Sequence, residues 1–144
     1  MFTRLSAVSN LRTLQRTDDV LNVSGHRLTT AQLEEAIAIL DGVIEAAVVG
    51  VSDSIKGTIP VAFVVGKNFS DQDVVQSVRK NVGAVANLKR VYRVPKLPKT
   101  RSGKLMRNVL RDFAEQRLPV QVPPTIEDPS VLAAIEKVVK NHHH

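Results

Sequence analysis

The sequence predicts an α+β domain: an N-terminal β-hairpin followed by a small mixed or antiparallel three-stranded sheet packed with helices. Three observations predict it. Strand-like apolar runs recur along the chain, separated by segments whose apolar residues repeat at helical spacing. The two central runs are joined only by "SDSIK", too short for the crossover that parallel strands need, so they pair antiparallel. Hydrophobic residues make up 43 % of the chain but aromatic residues only 3 %, so the core is built from Val, Ile, Leu and Ala. With 144 residues there is chain for one domain, or one domain and a small appendage.

Taken in order, "LRTLQRTDDVLNVSGHRL" reads as strand, turn, strand, with Asp18-Asp19 as the turn and "VLNV" alternating apolar with polar. "TTAQLEEAIAIL" reads as a helix. Thr29 and Gln32 can form a capping box, and Leu33, Ile37 and Leu40 share a face. "VIEAAVVGVSD" and "GTIPVAFVVGK" are β-rich, and the second is apolar enough near "VAFVV" to be buried on both faces. "SDQDVVQSVRKNVG" is a helix with Ser70 as N-cap, Asp73 at its third position and Gly83 near its end. "KRVYRVPKL" is a third longer strand, stopped by Pro95. "KTRSGK" is a loop, and "KLMRNVLRDFAEQ" a helix with Leu105, Val109, Leu110 and Phe113 on one face. "LPVQVPPTIEDP" is a Pro-rich linker before a last short helix, "SVLAAIEKVVKN".

Composition excludes several functions. The chain has no cysteine, so thiol catalysis and disulfides are out. Set aside the terminal "HHH", read as a tag remnant, and His26 is the sole histidine, which rules out a multi-histidine metal site. No apolar run approaches the roughly 20 residues that span a bilayer, so no membrane partner is expected. The formal charge of +6 is unevenly distributed. Residues 18–76 carry nine acidic and three basic residues, whereas residues 79–117 carry twelve basic and two acidic. A basic block suggests an anionic partner; a solvated basic face explains the same charge without one.

The densest part of that block is "PKTRSGKLMR", residues 98–107. A Walker-type phosphate loop is excluded, because Pro98 stands where its first glycine belongs and Leu105 where its Ser or Thr belongs. A nucleic-acid patch fits the charge but lacks stacking aromatics beyond Tyr92 and Phe113. A third reading is a single lysine, Lys104, presented on a mobile tip by Ser102-Gly103, its point charge aimed at carboxylate or phosphate oxygens.

"LPKTRSGKLMR" resembles the motif that carries the adenylation lysine of short-chain acyl-CoA synthetases of the acetyl- and propionyl-CoA type. "RTDDVLNVSGHRLTTAQLEEAI" resembles the hinge and hairpin that open the C-terminal domain of the same adenylate-forming superfamily. Both stand in the expected order, and the resemblance covers residues 11–116; "TIEDPSVLAAIEKVV" looks more like the propionate-using branch. The resemblance implies an AMP-forming acid–thiol ligase. A carboxylate first attacks the α-phosphate of Mg-ATP, and the thiol of coenzyme A then displaces AMP. ATP with Mg2+ and coenzyme A are substrates, with no tightly bound cofactor. The small C-terminal domain rotates between the steps against its partner, the large N-terminal adenylation domain.

Carried onto this sequence, the resemblance makes Lys104 the catalytic residue of adenylation and Asp18 the hinge. Arg16 and Arg27 become nucleotide-binding, and Ser24, Gly25 and Arg79 coenzyme A-binding; Lys99 and Arg101 support the loop, and His26 is a weak candidate for a base. Read without the resemblance, Asp18 is a turn residue, Gly25 a strand bend and Arg79 a surface cation. The expected division is residues 1–17 as a leader, 18–117 as the mobile domain, 118–141 as linker and terminal helix, and 142–144 as a tag remnant. The leader lacks the Gly- and aromatic-rich hairpin that usually precedes the hinge, so the chain reads as an excised C-terminal domain, inactive alone. The expected location is the cytoplasm, with the mitochondrial matrix as alternative, and acetylation of Lys104 is expected to silence it. The alternative function is a stand-alone basic module that binds nucleotides or nucleic acid without catalysis.

Overall fold

The computed structural model describes residues 20–141 other than 24, 56, 85, 87 and 119. Strands β1 (Val20–Val23) and β2 (His26–Thr29) form an antiparallel hairpin. Helix α1 (Thr30–Ala38) follows directly. Strands β3 (Val43–Asp53) and β4 (Gly57–Gly66) form the long central pair, then come α2 (Asp71–Asn81), β5 (Arg90–Arg93), α3 (Arg107–Ala114) and α4 (Ser130–Asn141).

The sheet is organised around β4, whose residues 59–65 are all buried. Strand β3 runs antiparallel along one edge, from Val43↔Gly66 to Asp53↔Gly57. The other edge is shared. Strand β5 pairs parallel to it from Val61↔Arg90 to Val64↔Arg93, and β1 joins at Val23↔Gly57. Among the described residues the hairpin is therefore part of one five-stranded sheet rather than a separate unit before a three-stranded one. Pro60 sits between the two segments of that shared edge. A proline is normally excluded from a central strand because it cannot donate to the ladder. Here the Pro60 carbonyl accepts from the Lys89 amide at 2.9 Å, so the proline nitrogen faces the same edge, just before β5 begins.

Local sequence signals start α1 and α2. Thr29 and Gln32 exchange side-chain and backbone hydrogen bonds at 2.9 and 3.1 Å, and Ser70 and Asp73 do the same at 3.0 and 3.1 Å. Leu33 and Ile37 of α1, and Val74 and Val78 of α2, are fully buried. The Ser77 hydroxyl donates to the Ala36 carbonyl at 2.6 Å, joining the two helices. Tyr92 packs on Phe63 with ring centroids 5.2 Å apart. Burial raises its phenol pKa above the ordinary value, partly opposed by the Arg90 charge and Gln116.

Two expectations change, and a third is not reached by the described residues. The turn of the described hairpin lies at Gly25, whose φ of 84° suits glycine; the expected turn at Asp18-Asp19 lies outside the described residues. The third strand is only four residues long, with Val91 and Tyr92 both buried instead of alternating. Helix α3 begins at Arg107, because Lys99 and Leu105 pair with each other across the loop and hold residues 104–106 extended.

Helix α4 packs into the same core as the sheet, burying Val131, Leu132, Ile135 and Val139. Ile135 is fully buried. We expect Ile135→Ala to cost about 2–5 kcal/mol in chemical denaturation, the usual penalty for a core truncation. A cost below about 0.5 kcal/mol, typical of surface positions, would show that α4 is not part of the core.

Candidate functional site

The basic loop is a three-residue hairpin turn. The Thr100 amide donates to the Lys104 carbonyl and the Gly103 amide to the Thr100 carbonyl, each at 2.8 Å. The Lys104 amide donates to the Thr100 hydroxyl at 3.1 Å, and that hydroxyl lies 2.9 Å from Ser102 Oγ. Gly103 has a φ of 90°, which a loop of this length needs at its last position. The glycine thus fixes a turn. Lys104 is exposed, but both its backbone groups are tied to Thr100, so the freely mobile tip expected from Ser102-Gly103 is replaced by a pinned stem.

The Pro-rich segment pins the other side. Glu127 donates its amide to the Lys99 carbonyl at 2.9 Å, Arg101 donates to the Thr125 carbonyl at 3.2 Å, and Ile126 between them is buried. Just beyond, the Ser130 hydroxyl and amide donate to Asp128 and hold its carboxyl below the usual range. The segment read as a linker is a ribbon laid along the lysine loop.

Beneath the loop, both stems rest on acids from the first half of the chain. Lys99 is ion-paired with Glu45 of β3, as its supporting role anticipated. Arg107 makes a two-pronged pair with Glu34 of α1, at 2.8 and 3.1 Å. The same arginine donates to the Val48 carbonyl at 2.9 Å, while the Val48 amide donates to Glu34 at 2.8 Å. Both side chains are over four-fifths buried. Sequence reading missed Arg107 and Glu34, although a cation opening a helix conflicts with the helix dipole and signals an unseen partner.

The other predicted residues lie elsewhere. Gly25, His26 and Arg27 are exposed on the β1–β2 hairpin, and a side chain at Gly25 would meet nothing within 4 Å. Asp18, Arg16 and Ser24 lie outside the described residues. Arg79 is exposed in the last turn of α2, where the helix dipole favours a cation. Asn81 and Val82 line one groove with Leu28 of β2, so that end of α2 adjoins the hairpin.

The sheet register separates the two groups. Val23 beside the hairpin turn pairs with Gly57, and Glu45 beneath Lys99 pairs with Val65. Eight residue steps along β4 separate those two pairs, roughly 26 Å. The loop and the hairpin are therefore anchored at opposite ends of β4. Among the described residues no group of three or more His, Asp or Glu side chains could hold a metal, and no helix is long and apolar enough to cross a membrane.

The basic block is also less available than its charge suggests. Lys99, Arg107, Arg93 and Arg117 pair with Glu45, Glu34, Asp71 and the Asp112–Glu115 couple. These four cations are thus paired with acids of the same chain, two of them at the surface. Thr100→Val removes the hydroxyl that accepts from Lys104. We expect hydrogen exchange of the Lys104 amide to quicken about fivefold, equivalent to about 1 kcal/mol, with core amides unaffected. Unaltered exchange at Lys104 would mean that the bond does not hold the loop.

Residues 32–104 match the family of AMP-binding enzyme C-terminal domains, and the chain belongs to it. It is 45 % identical over 130 residues to the mitochondrial acyl-CoA synthetase short-chain family member B of Dictyostelium discoideum, covering 85 % of this chain and 19 % of that protein. It is 44 % identical over 138 residues to the propionate–CoA ligase of Escherichia coli strain K12, covering 88 % and 22 %. Among solved structures it resembles an acyl-CoA synthetase of Brucella canis, with a TM-score of 0.64 and 37 % identity over 72 % of this chain and 20 % of that one. The chain thus spans about a fifth of the length of these relatives.

Proposed function

We propose that the chain serves as the mobile C-terminal domain of an AMP-forming ligase that joins acetate or propionate to coenzyme A. The rest of that ligase, a large adenylation domain, is its partner. In the first step a carboxylate oxygen attacks the α-phosphorus of ATP, the bond to the β-phosphate oxygen breaks, and pyrophosphate leaves. In the second step the coenzyme A sulfur attacks the acyl carbon, the bond to AMP breaks, and a thioester forms. Mg2+ travels with the nucleotide and neutralises phosphate charge.

Lys104 serves the first step. Two anions must approach each other, and the lysine ammonium offsets the repulsion as charge builds on the α-phosphate. A pinned stem suits this role, because a positioned charge needs no reorganisation when the reaction occurs. The hairpin serves the second step. Gly25 leaves open space in which the pantetheine arm can approach the backbone, with Ser24 next in sequence, and Arg79 is the proposed contact for coenzyme A phosphate. Arg27 and Arg16 meet the nucleotide, and Asp18 is the hinge about which the domain turns. The cytoplasm stays the expected location, with the mitochondrial matrix as its alternative, and the domain is expected to be inactive by itself.

The observation that carries this reading is the separation of the two groups along β4. Groups anchored at opposite ends of one strand do not reach one reacting centre together, so a single domain that uses both must turn between steps. The test is Lys104→Ala in the full-length ligase. Acyl-adenylate formation is expected to fall by about 100-fold or more, the scale for a lost transition-state charge contact. Thioester formation from supplied acyl-adenylate is expected to survive. Equal loss of both half-reactions would refute the assignment.

A further inference from the structure

We infer that Glu34 and Arg107 are positioning residues for Lys104, which rests on the adenylation role proposed for that lysine. Helix α3 has no side-chain cap at its N-terminus and no acidic residue in its first turn, and it opens on Arg107. Both features disfavour a helix start at this place. What holds it is tertiary: the Glu34 carboxylate accepts both prongs of Arg107, and the Val48 amide and carbonyl complete the ring. Arg107 stands three residues after Lys104, and the Met106 amide between them donates to the Pro98 carbonyl at 2.9 Å. The path from Glu34 to Lys104 is therefore one short, hydrogen-bonded stem.

Two-pronged geometry matters here. A guanidinium held at two oxygens fixes orientation as well as distance, which a lysine in its place could not do. Glu34 lies on α1 and Val48 on β3, so the clamp registers the loop against the central sheet. Glu34 and Arg107 bond each other and the Val48 backbone, and they act through the lysine stem. Losing the clamp should misplace the Lys104 ammonium by about an ångström, enough to cost about 10- to 100-fold in a charge-stabilised step.

The experiment uses the full-length ligase with Glu34→Gln, which keeps the shape but loses the charge, and Arg107→Lys, which keeps the charge but loses the fork. Should the first fail to fold, the second carries the test. Each is expected to slow acyl-adenylate formation about 10- to 100-fold, leaving thioester formation from supplied acyl-adenylate unchanged. In a Lys104→Ala background each is expected to cost nothing further in adenylation, because the residue through which they act is gone. Equal slowing of both half-reactions, no slowing, or an undiminished loss in the Lys104→Ala background would overturn the inference. The underlying role of Lys104 is tested separately: if Lys104→Ala alone fails to separate the half-reactions, that role falls and the inference with it. If it separates them and the clamp variants do not, only the inference falls.

Discussion

The burial of β4 is the constraint from which the rest follows. A strand whose residues 59–65 are all inaccessible must be covered on both faces and paired on both edges. Helices α1 to α4 and three neighbouring strands meet that requirement. Its length then sets a distance inside a small domain, with the hairpin turn anchored at one end and the lysine loop at the other. The same strand that makes the core also keeps the hairpin turn and the lysine loop apart.

The charge asymmetry of the sequence has a structural counterpart. The first half is acidic and the second basic, and the fold brings them together: Glu34 with Arg107, Glu45 with Lys99, Asp71 with Arg93. The Asp71–Arg93 pair is half-exposed and weak. The Glu34–Arg107 pair is mostly buried, where removing one partner strands a charge and costs far more. What reads along the chain as a basic block for an external anion is in part a set of internal clamps that hold the loop carrying Lys104.

Much of the fold was legible because its signals are local. The capping boxes at Thr29 and Ser70 lie within four residues, and the short connection between β3 and β4 dictates their antiparallel pairing. Lys104 is proposed from a long motif, and the structure adds the turn that carries it. The misses depend on distant partners. Arg107 and Glu34 are 73 positions apart, and nothing near either names the other. The Thr125–Glu127 ribbon looked like a linker because the prolines on either side of it obscure that it pairs with the loop. The start of α3 was placed too early because Leu105 keeps helical spacing with Val109 while a bridge to Lys99 holds it extended.

The proposed alternation of the two ends has a direct test, since this domain contributes no cysteine of its own to the labelling. Single cysteines at Ser102 on the loop and at His26 on the hairpin, both exposed positions, would report burial through their rate of alkylation in the full-length ligase, followed on the peptide that carries each. The expected pattern is reciprocal. With ATP and carboxylate the loop cysteine is protected and the hairpin cysteine reacts; once acyl-adenylate and coenzyme A are bound, the protection exchanges. Simultaneous protection of both positions in one state, or no change at either, would contradict the claim that the two ends of β4 work in turn.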